Sequence, residues 1–216
     1  MPFEIEIQVE MGGNADPDLV DKLVREISSK WTIKRDRPAV PTLVLFGGFQ
    51  GSGKSTIIDE LQKNPESTFI VISPDEIRSK LFNMIPFSDA FVHTVFAARN
   101  TLLQKALKTG QNILIDENST PLRISLFDSF VKNIQGSKYK VLTVFLEVSK
   151  ETLIQRVKSR LQVQGRYAGK VNELVASIEE HGEIELGAYG IIIDTVKTSS
   201  SAAAKIIFNA IQAFQG

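Results

Sequence analysis

The segment TLVLFGGFQGSGKSTIIDEL, residues 42–61, sets a glycine-rich turn between an apolar run and a helix-like pattern. Within it Gly48, Gly51, Ser52, Gly53, Lys54 and Ser55 satisfy G-x-x-x-x-G-K-[ST]. Glycines at this spacing let successive backbone N–H groups point inward around an anion. The helix that follows adds its own free N–H groups and the positive end of its dipole. The anion that fits such a cradle is the polyphosphate of a nucleotide, here taken as ATP with Mg²⁺. Lys54 is expected at the β- and γ-phosphates, the Ser55 hydroxyl at the metal, and Thr56 at the α-phosphate.

A second group of reactive residues lies in FIVISPDEIRSKLF, residues 69–82. Asp75 follows Ser73-Pro74 at the end of a strand-like run and the start of a helix, where open α/β sheets place ligands. A carboxylate there can take the proton of a hydroxyl that attacks a γ-phosphate. Arg78, one turn later, is placed to hold an acceptor phosphate or the transferring group. The same pair also reads as a helix-capping aspartate beside a solvated arginine.

A third group comes from SKETLIQRVKSRLQVQGRYAGK, residues 149–170. Arg156 and Arg160 stand four apart and share a helix face, while Leu153, Val157 and Leu161 occupy another. Arg166 follows Gly165 in a polar stretch suited to a lid over residues 156–170, roughly. These arginines would neutralise charge on a phosphoryl group in flight, or form a basic solvated helix face.

Three classes of nucleotide-binding protein compete. A regulatory GTPase needs N-K-x-D and D-x-x-G, and neither occurs in the chain. A motor or multi-subunit ATPase ends a strand in paired acids, a pattern that NILIDE with Asp116 and Glu117 fits. A small phosphotransferase needs a base beside the acceptor and arginines over the phosphates, which Asp75 and the arginine helix offer.

The elements that must position these residues follow from periodicity. Short runs, apolar on both faces, at Leu43–Phe46, Phe69–Ile72, Ile113–Ile115, Val141–Leu146 and Ile191–Ile193 read as strands of a parallel sheet covered on both sides. Helical patterns alternate with them at 55–62, 75–82, 89–108, 121–134, 149–162 and 170–181, and an amphipathic helix closes the chain. Alternating βαβ units make an open α/β fold. Ahead of the glycine loop, residues 3–10 alternate Phe3, Ile5, Ile7 and Val9 with polar residues, as a half-buried strand does. A helix follows, with Asp16 as its cap, Pro17 in its first turn, and Leu19, Leu23 and Ile27 in one stripe.

Composition narrows the partners. The 216 residues carry 25 Lys plus Arg and 25 Asp plus Glu, so no global positive field recruits nucleic acid. The absence of cysteine excludes disulfides and thiolate chemistry. No apolar run is long enough to span a membrane, and the N-terminus is too acidic for a signal peptide. A cytoplasmic protein is expected; a secreted effector with a non-cleaved signal would read the same.

Taken together, GGFQGSGKST, ISPDEIRSKLF, ALKTGQNILIDENSTPLR, the arginine-bearing lid and GIIIDT resemble the zeta-toxin and polynucleotide-kinase group of small P-loop kinases. The resemblance runs from about Leu43 to the C-terminus. It implies a three-layer P-loop nucleoside triphosphate hydrolase fold, α/β with a parallel sheet, over residues 41–216. Residues 1–40 are then a strand-helix appendage, a candidate docking point for a protein partner. It further implies that Asp75 is the general base, that Arg78 faces the acceptor, and that Asp116 and Asn118 belong to the acceptor site. Arg156, Arg160 and Arg166 would clamp the phosphates, and Asp194 and Thr195 would lie near the base of the nucleotide. Zeta toxins carry Gly-Thr after the glutamate that matches Glu117, and this chain does not. The reading is an ATP-dependent kinase acting on a hydroxyl of a small nucleotide-sugar or metabolite. A polynucleotide 5′-hydroxyl kinase and a non-catalytic ATP-binding module are the alternatives.

Overall fold

A computed structural model describes residues 14–64, 68–118, 124, 138–161, 171–181 and 186–214, without the side chains of 160, 161, 173, 180 and 181. The expected strand at 3–10, nearly all of the expected helix at 121–134, Arg166 and the Arg160 side chain lie outside the described residues.

Helix α1 (Pro17–Ser28) leads into β1 (Thr42–Gly47), α2 (Lys54–Gln62), β2 (Phe69–Ile72), α3 (Pro74–Leu81) and α4 (Asp89–Leu107). Then come β3 (Asn112–Ile115), β4 (Lys140–Glu147), α5 (Lys150–Leu161), α6 (Val171–His181), β5 (Ile191–Asp194) and α7 (Ser200–Ala213). The strands form one sheet in the order β2-β3-β1-β4-β5, every neighbouring pair parallel. This is the three-layer α/β fold that the alternation of patterns predicts.

Every residue of β1 is buried, and its alternation sorts the two faces. Leu43 and Leu45 join Ile70, Ile72, Ile113 and Ile115 under α1, α3 and α4. Val44 and Phe46 pack with Val144 and Leu146 against α2 and α7. A parallel sheet covered on both faces needs such unbroken apolar strands, because βαβ crossovers put helices on each side. A smaller cluster of Leu153, Val157 and Leu174 ties α5 to α6.

The helix of the N-terminal segment is a load of core rather than an ornament. Asp16 caps α1, its Oδ1 accepting from the Asp18 and Leu19 N–H groups at 3.0 and 3.1 Å. Val20, Leu23, Val24 and Ile27 are buried in the same cluster as β1 and α4. Each side chain buried in this way contributes roughly 1.5–3 kcal/mol relative to exposure. The Asp16 N–H donates to Thr94 Oγ1, and Lys105 Nζ donates to Ser28 Oγ, so α1 lies alongside α4 over its whole length. The stripe seen in the sequence is the buried face.

Candidate active site

Parallel strands deliver their C-terminal ends to one edge of the sheet, and the loops there carry the site. The turn after β1 needs its glycines: Gly48 has φ +125° and Gly53, which precedes α2, has φ +103°. A Cβ on Gly48 would stand 2.9 Å from both Leu146 O and Ser52 Oγ. Around this turn, Lys54 Nζ donates to Gly48 O at 2.6 Å and to Phe49 O at 3.1 Å. The ammonium is thus kept at the loop it is meant to serve.

Asp116, one residue beyond β3, sits across from that loop. Its N–H donates to Ile72 O at 2.9 Å, which extends the pairing of β2 with β3 and fixes the carboxylate between two strand ends. Ser55 Oγ donates to Asp116 at 3.1 and 3.3 Å. Burial pushes the Asp116 carboxyl above its ordinary range; Lys54 and the Ser55 hydroxyl oppose that, and the nearby carboxylates of Asp75 and Asp59 add to it. Asn118 Oδ1 accepts from the Gly48 N–H at 3.0 Å, so the loop after β3 also braces the glycine turn. Both residues expected at the acceptor therefore touch the P-loop.

A pair that sequence reasoning passed over holds this loop. Arg99 Nη1 donates to Glu117 Oε1 at 2.8 Å, with the two side chains only 3 % and 7 % exposed. Arg99 also lies 5.1 Å above the Phe96 ring. The one available signal was an arginine set among apolar residues in the middle of a long helix.

Asp75 lies in the first turn of α3. Ser73 occupies the cap position and Pro74 the first helical one, so the carboxylate is not used for capping. Its side chain is 64 % exposed and pairs with Arg78 at 2.5 Å. An exposed pair of this kind is worth about 0–1 kcal/mol, so the carboxylate is readily exchanged to another partner.

On the other side of the glycine turn, Arg156 is not a solvated residue. Its Nη1 donates to Gly51 O at 3.3 Å and to Thr195 Oγ1 at 3.0 Å, and its Nη2 donates to Thr195 O at 3.0 Å. Thr195 Oγ1 in turn donates to Ser52 O at 3.0 Å. Asp194 folds the turn after β5 by accepting from the Val196 and Lys197 N–H groups. Hydrogen bonding to Lys197 first, then to the Val196 N–H, holds its carboxyl below the usual range. Gly51, Gly53, Thr56, Arg156 and Thr195 line a cavity of about 450 Å³ that continues along Val196–Ser200. A larger one, about 560 Å³, opens at edge strand β2 beside Trp31 and holds none of these residues.

The donors available to a metal ion are a hydroxyl and a carboxylate in mutual contact. Among the described residues no group of three or more His, Cys, Asp or Glu gathers to hold an ion. A hard cation that keeps most of its ligands as water and phosphate, as Mg²⁺ does, fits this set. The raised Asp116 carboxyl would gain a counter-charge from it.

The described helices include none long and apolar enough to cross a membrane. A comparison with curated proteins gives no match. Among solved structures, a candidate kinase from Chloroflexus aurantiacus is similar at 18 % identity, over 81 % of this chain and 97 % of that one, with a TM-score of 0.61. Shikimate kinase from Acinetobacter baumannii shares 18 % identity over 82 % and 96 % of the two chains, with a TM-score of 0.53. A structure of the PezAT chromosomal toxin-antitoxin system of Streptococcus pneumoniae shares 18 % over 92 % and 95 %, with a TM-score of 0.54. At these identities the likeness is one of fold, and the fold is that of the small P-loop kinase group that the motifs resemble. The model of the AAA domain family matches residues 43–179, from β1 through most of α6, and the chain belongs to that family.

Proposed function

We propose that the protein transfers the γ-phosphate of ATP to a hydroxyl of a small acceptor, a nucleotide-sugar or metabolite. One observation carries this reading. Asp75, exposed and tied only loosely to Arg78, and Asp116, held against Ser55, stand at adjacent strand ends beside the glycine turn. In this reading the first carboxylate serves the acceptor and the second the metal.

In this reading the loop amides and Lys54 hold the β- and γ-phosphates, and Thr56 meets the α-phosphate. Bound Mg²⁺, carried by Ser55 and Asp116, would neutralise charge on the β- and γ-oxygens. Asp75 leaves Arg78, orients the acceptor hydroxyl and takes its proton as the new O–P bond forms. The bond from the γ-phosphorus to the β-bridging oxygen breaks, and ADP leaves. Arg78 binds an anionic group of the acceptor, and Asn118 keeps the turn in shape from the acceptor side. Arg156 closes the base end of the nucleotide site with Thr195, and Arg160 and Arg166, whose side chains lie outside the described residues, are assigned to neutralising charge on the transferring group. Catalysis here is positioning and charge stabilisation, with the base adding about 10²–10⁴-fold.

The test is incubation with γ-labelled ATP and Mg²⁺ against two acceptor sets, small nucleotide-sugars and metabolites, and 5′-hydroxyl oligonucleotides. Label on a small acceptor supports the reading. Label on oligonucleotides alone makes the protein a polynucleotide kinase. ATP bound without any transfer makes it an interaction module, with residues 1–40 as the docking element.

A further inference from the structure

Strand β2 stands at one edge of the sheet, and its sequence FIVI is apolar throughout. Ile72 O accepts from the Asp116 N–H, and backbone groups alternate sides along a strand, so Ile70 and Ile72 bond toward β3. Phe69 and Val71 then turn their N–H and C=O groups outward. Among the described residues no strand pairs with β2 on that side. An apolar edge of this kind is a template for pairing with another segment, and native proteins cover it. Here it opens on the cavity of about 560 Å³. Phe69 and Val71 line that cavity from the α2 face of the sheet, Ile27 and Trp31 from the α1 face. The cavity thus wraps the edge where a further strand would run.

The chain itself holds a segment of the matching kind. Residues 3–10, outside the described residues, place Phe3, Ile5, Ile7 and Val9 in one row and Glu4, Glu6, Gln8 and Glu10 in the other. The helix that follows them decides which edge they suit. α4 leads into the start of β3 and so runs against the strands. α1 runs the same way, meeting Thr94 at its start and Lys105 at its end. A strand ahead of α1 therefore arrives parallel to the sheet, with a turn that contains Gly12 and Gly13. α1 shares its face of the sheet with α3 and α4, which carry the chain inward from β2 to β3. A strand outside β2, followed by α1 and then β1, makes a crossover of that same hand. A strand outside β5, at the opposite edge, would make one of the reverse hand, which parallel crossovers almost never adopt. Handedness selects β2.

We propose that residues 3–9 add to the outer edge of β2 as a sixth strand, parallel to the five already paired. Paired residues of neighbouring strands point to the same face, so the apolar row joins Ile70 and Ile72 on the α1 side. The acidic row then stands beside Phe69 and Val71. Lys30 and Lys34 at the cavity oppose Glu4 and Glu6 in sign, and Glu76, an acid at the same cavity, is paired with Lys30 at 3.1 Å.

Amide hydrogen exchange of the full chain, followed residue by residue by NMR, reads the edge directly. The Phe69 and Val71 amides should exchange at least about tenfold more slowly than in the double variant Ile5→Asp with Ile7→Asp. The Ile70 and Ile72 amides, which bond to β3, should not change. The chain contains no cysteine, so an introduced pair has no competitor. Val71→Cys combined in turn with Glu4→Cys, Glu6→Cys and Gln8→Cys should give a disulfide within one monomer for at least one pair. Edge amides that exchange equally fast in the parent and the double variant overturn the proposal, as does failure of all three pairs to cross-link. Disulfide-linked dimers in place of linked monomers overturn it as well, since a second copy then supplies the strand. Loss of Ile70 protection would reveal a double variant that fails to fold, and the cross-linking result then decides alone.

Discussion

Replacing Arg99 by Met removes one partner of a buried ion pair and keeps most of the side-chain volume. Glu117, 7 % exposed, is then a carboxylate without its 2.8 Å partner in a site closed to water. Breaking a buried pair from one side costs about 3–5 kcal/mol, because the remaining charge is desolvated without compensation. For a chain of this size each kcal/mol moves the melting temperature by about 2–4 °C, so the drop expected is roughly 6–20 °C. The double variant Arg99→Met with Glu117→Leu leaves no charge stranded and should regain most of the loss, ending within about 1 kcal/mol of the parent. Urea unfolding at neutral pH, read by circular dichroism, measures all three proteins, and equal m-values make the midpoints comparable. A loss below about 1 kcal/mol for Arg99→Met would refute the reasoning, as Glu117 would have found water or another donor. A double variant as unstable as the single would refute it differently, by showing that packing of the arginine was the whole effect. The double variant has a second use. Glu117 lies between Asp116 and Asn118, so ATP affinity in a folded double variant reports whether the buried pair also sets those two side chains.

Lys54→Ala, which removes the Nζ donor to Gly48 O and Phe49 O, should fold and should lose about 10²–10³-fold or more in turnover. Asp75→Asn should bind ATP unchanged and lose about 10²–10⁴-fold in transfer, measured as steady-state rate beside an ATP titration. Asp116→Asn should stabilise the free protein at neutral pH, because burial holds the native carboxyl above its ordinary value and folding therefore opposes its ionised form. The sign follows: the advantage of Asn over Asp is full above the raised value, shrinks as pH falls through it, and is gone below the ordinary value of 3.8. Paired melting curves across that range check it. The same variant should lose the Mg²⁺ dependence of ATP binding, read by titration with and without the ion.

The strands could be read from the sequence because a parallel sheet covered twice leaves little freedom: Leu43–Phe46 and Ile113–Ile115 are apolar without interruption and are buried throughout. Asp75 just beyond the C-terminal end of β2 was readable for the same reason, but its alternative reading as a helix cap gives way to Ser73, which holds the cap position ahead of Pro74. The stripe of α1 was visible as well, but a stripe does not name its partner. Only the sheet order puts α4 beside it, which turned an expected appendage helix into part of the core. Arg99 was illegible for a related reason. Its charge is satisfied by a residue eighteen positions away on another element, and no local pattern announces such a pair. Arg156 read as a solvated face or a phosphate clamp; its bonds to Thr195 on the turn after β5 remove the first reading, and no local pattern announced that partner.

The fate of the γ-phosphate separates the proposed chemistry from its rivals in a single experiment. Phosphorus NMR of the protein with ATP, Mg²⁺ and a mixture of small hydroxyl-bearing nucleotide-sugars and metabolites follows every phosphorus atom at once. A transferase working through Lys54 and Asp75 predicts a new phosphomonoester signal growing in step with ADP, and its absence in Asp75→Asn. Inorganic phosphate alone, or ATP bound and unchanged, would contradict it.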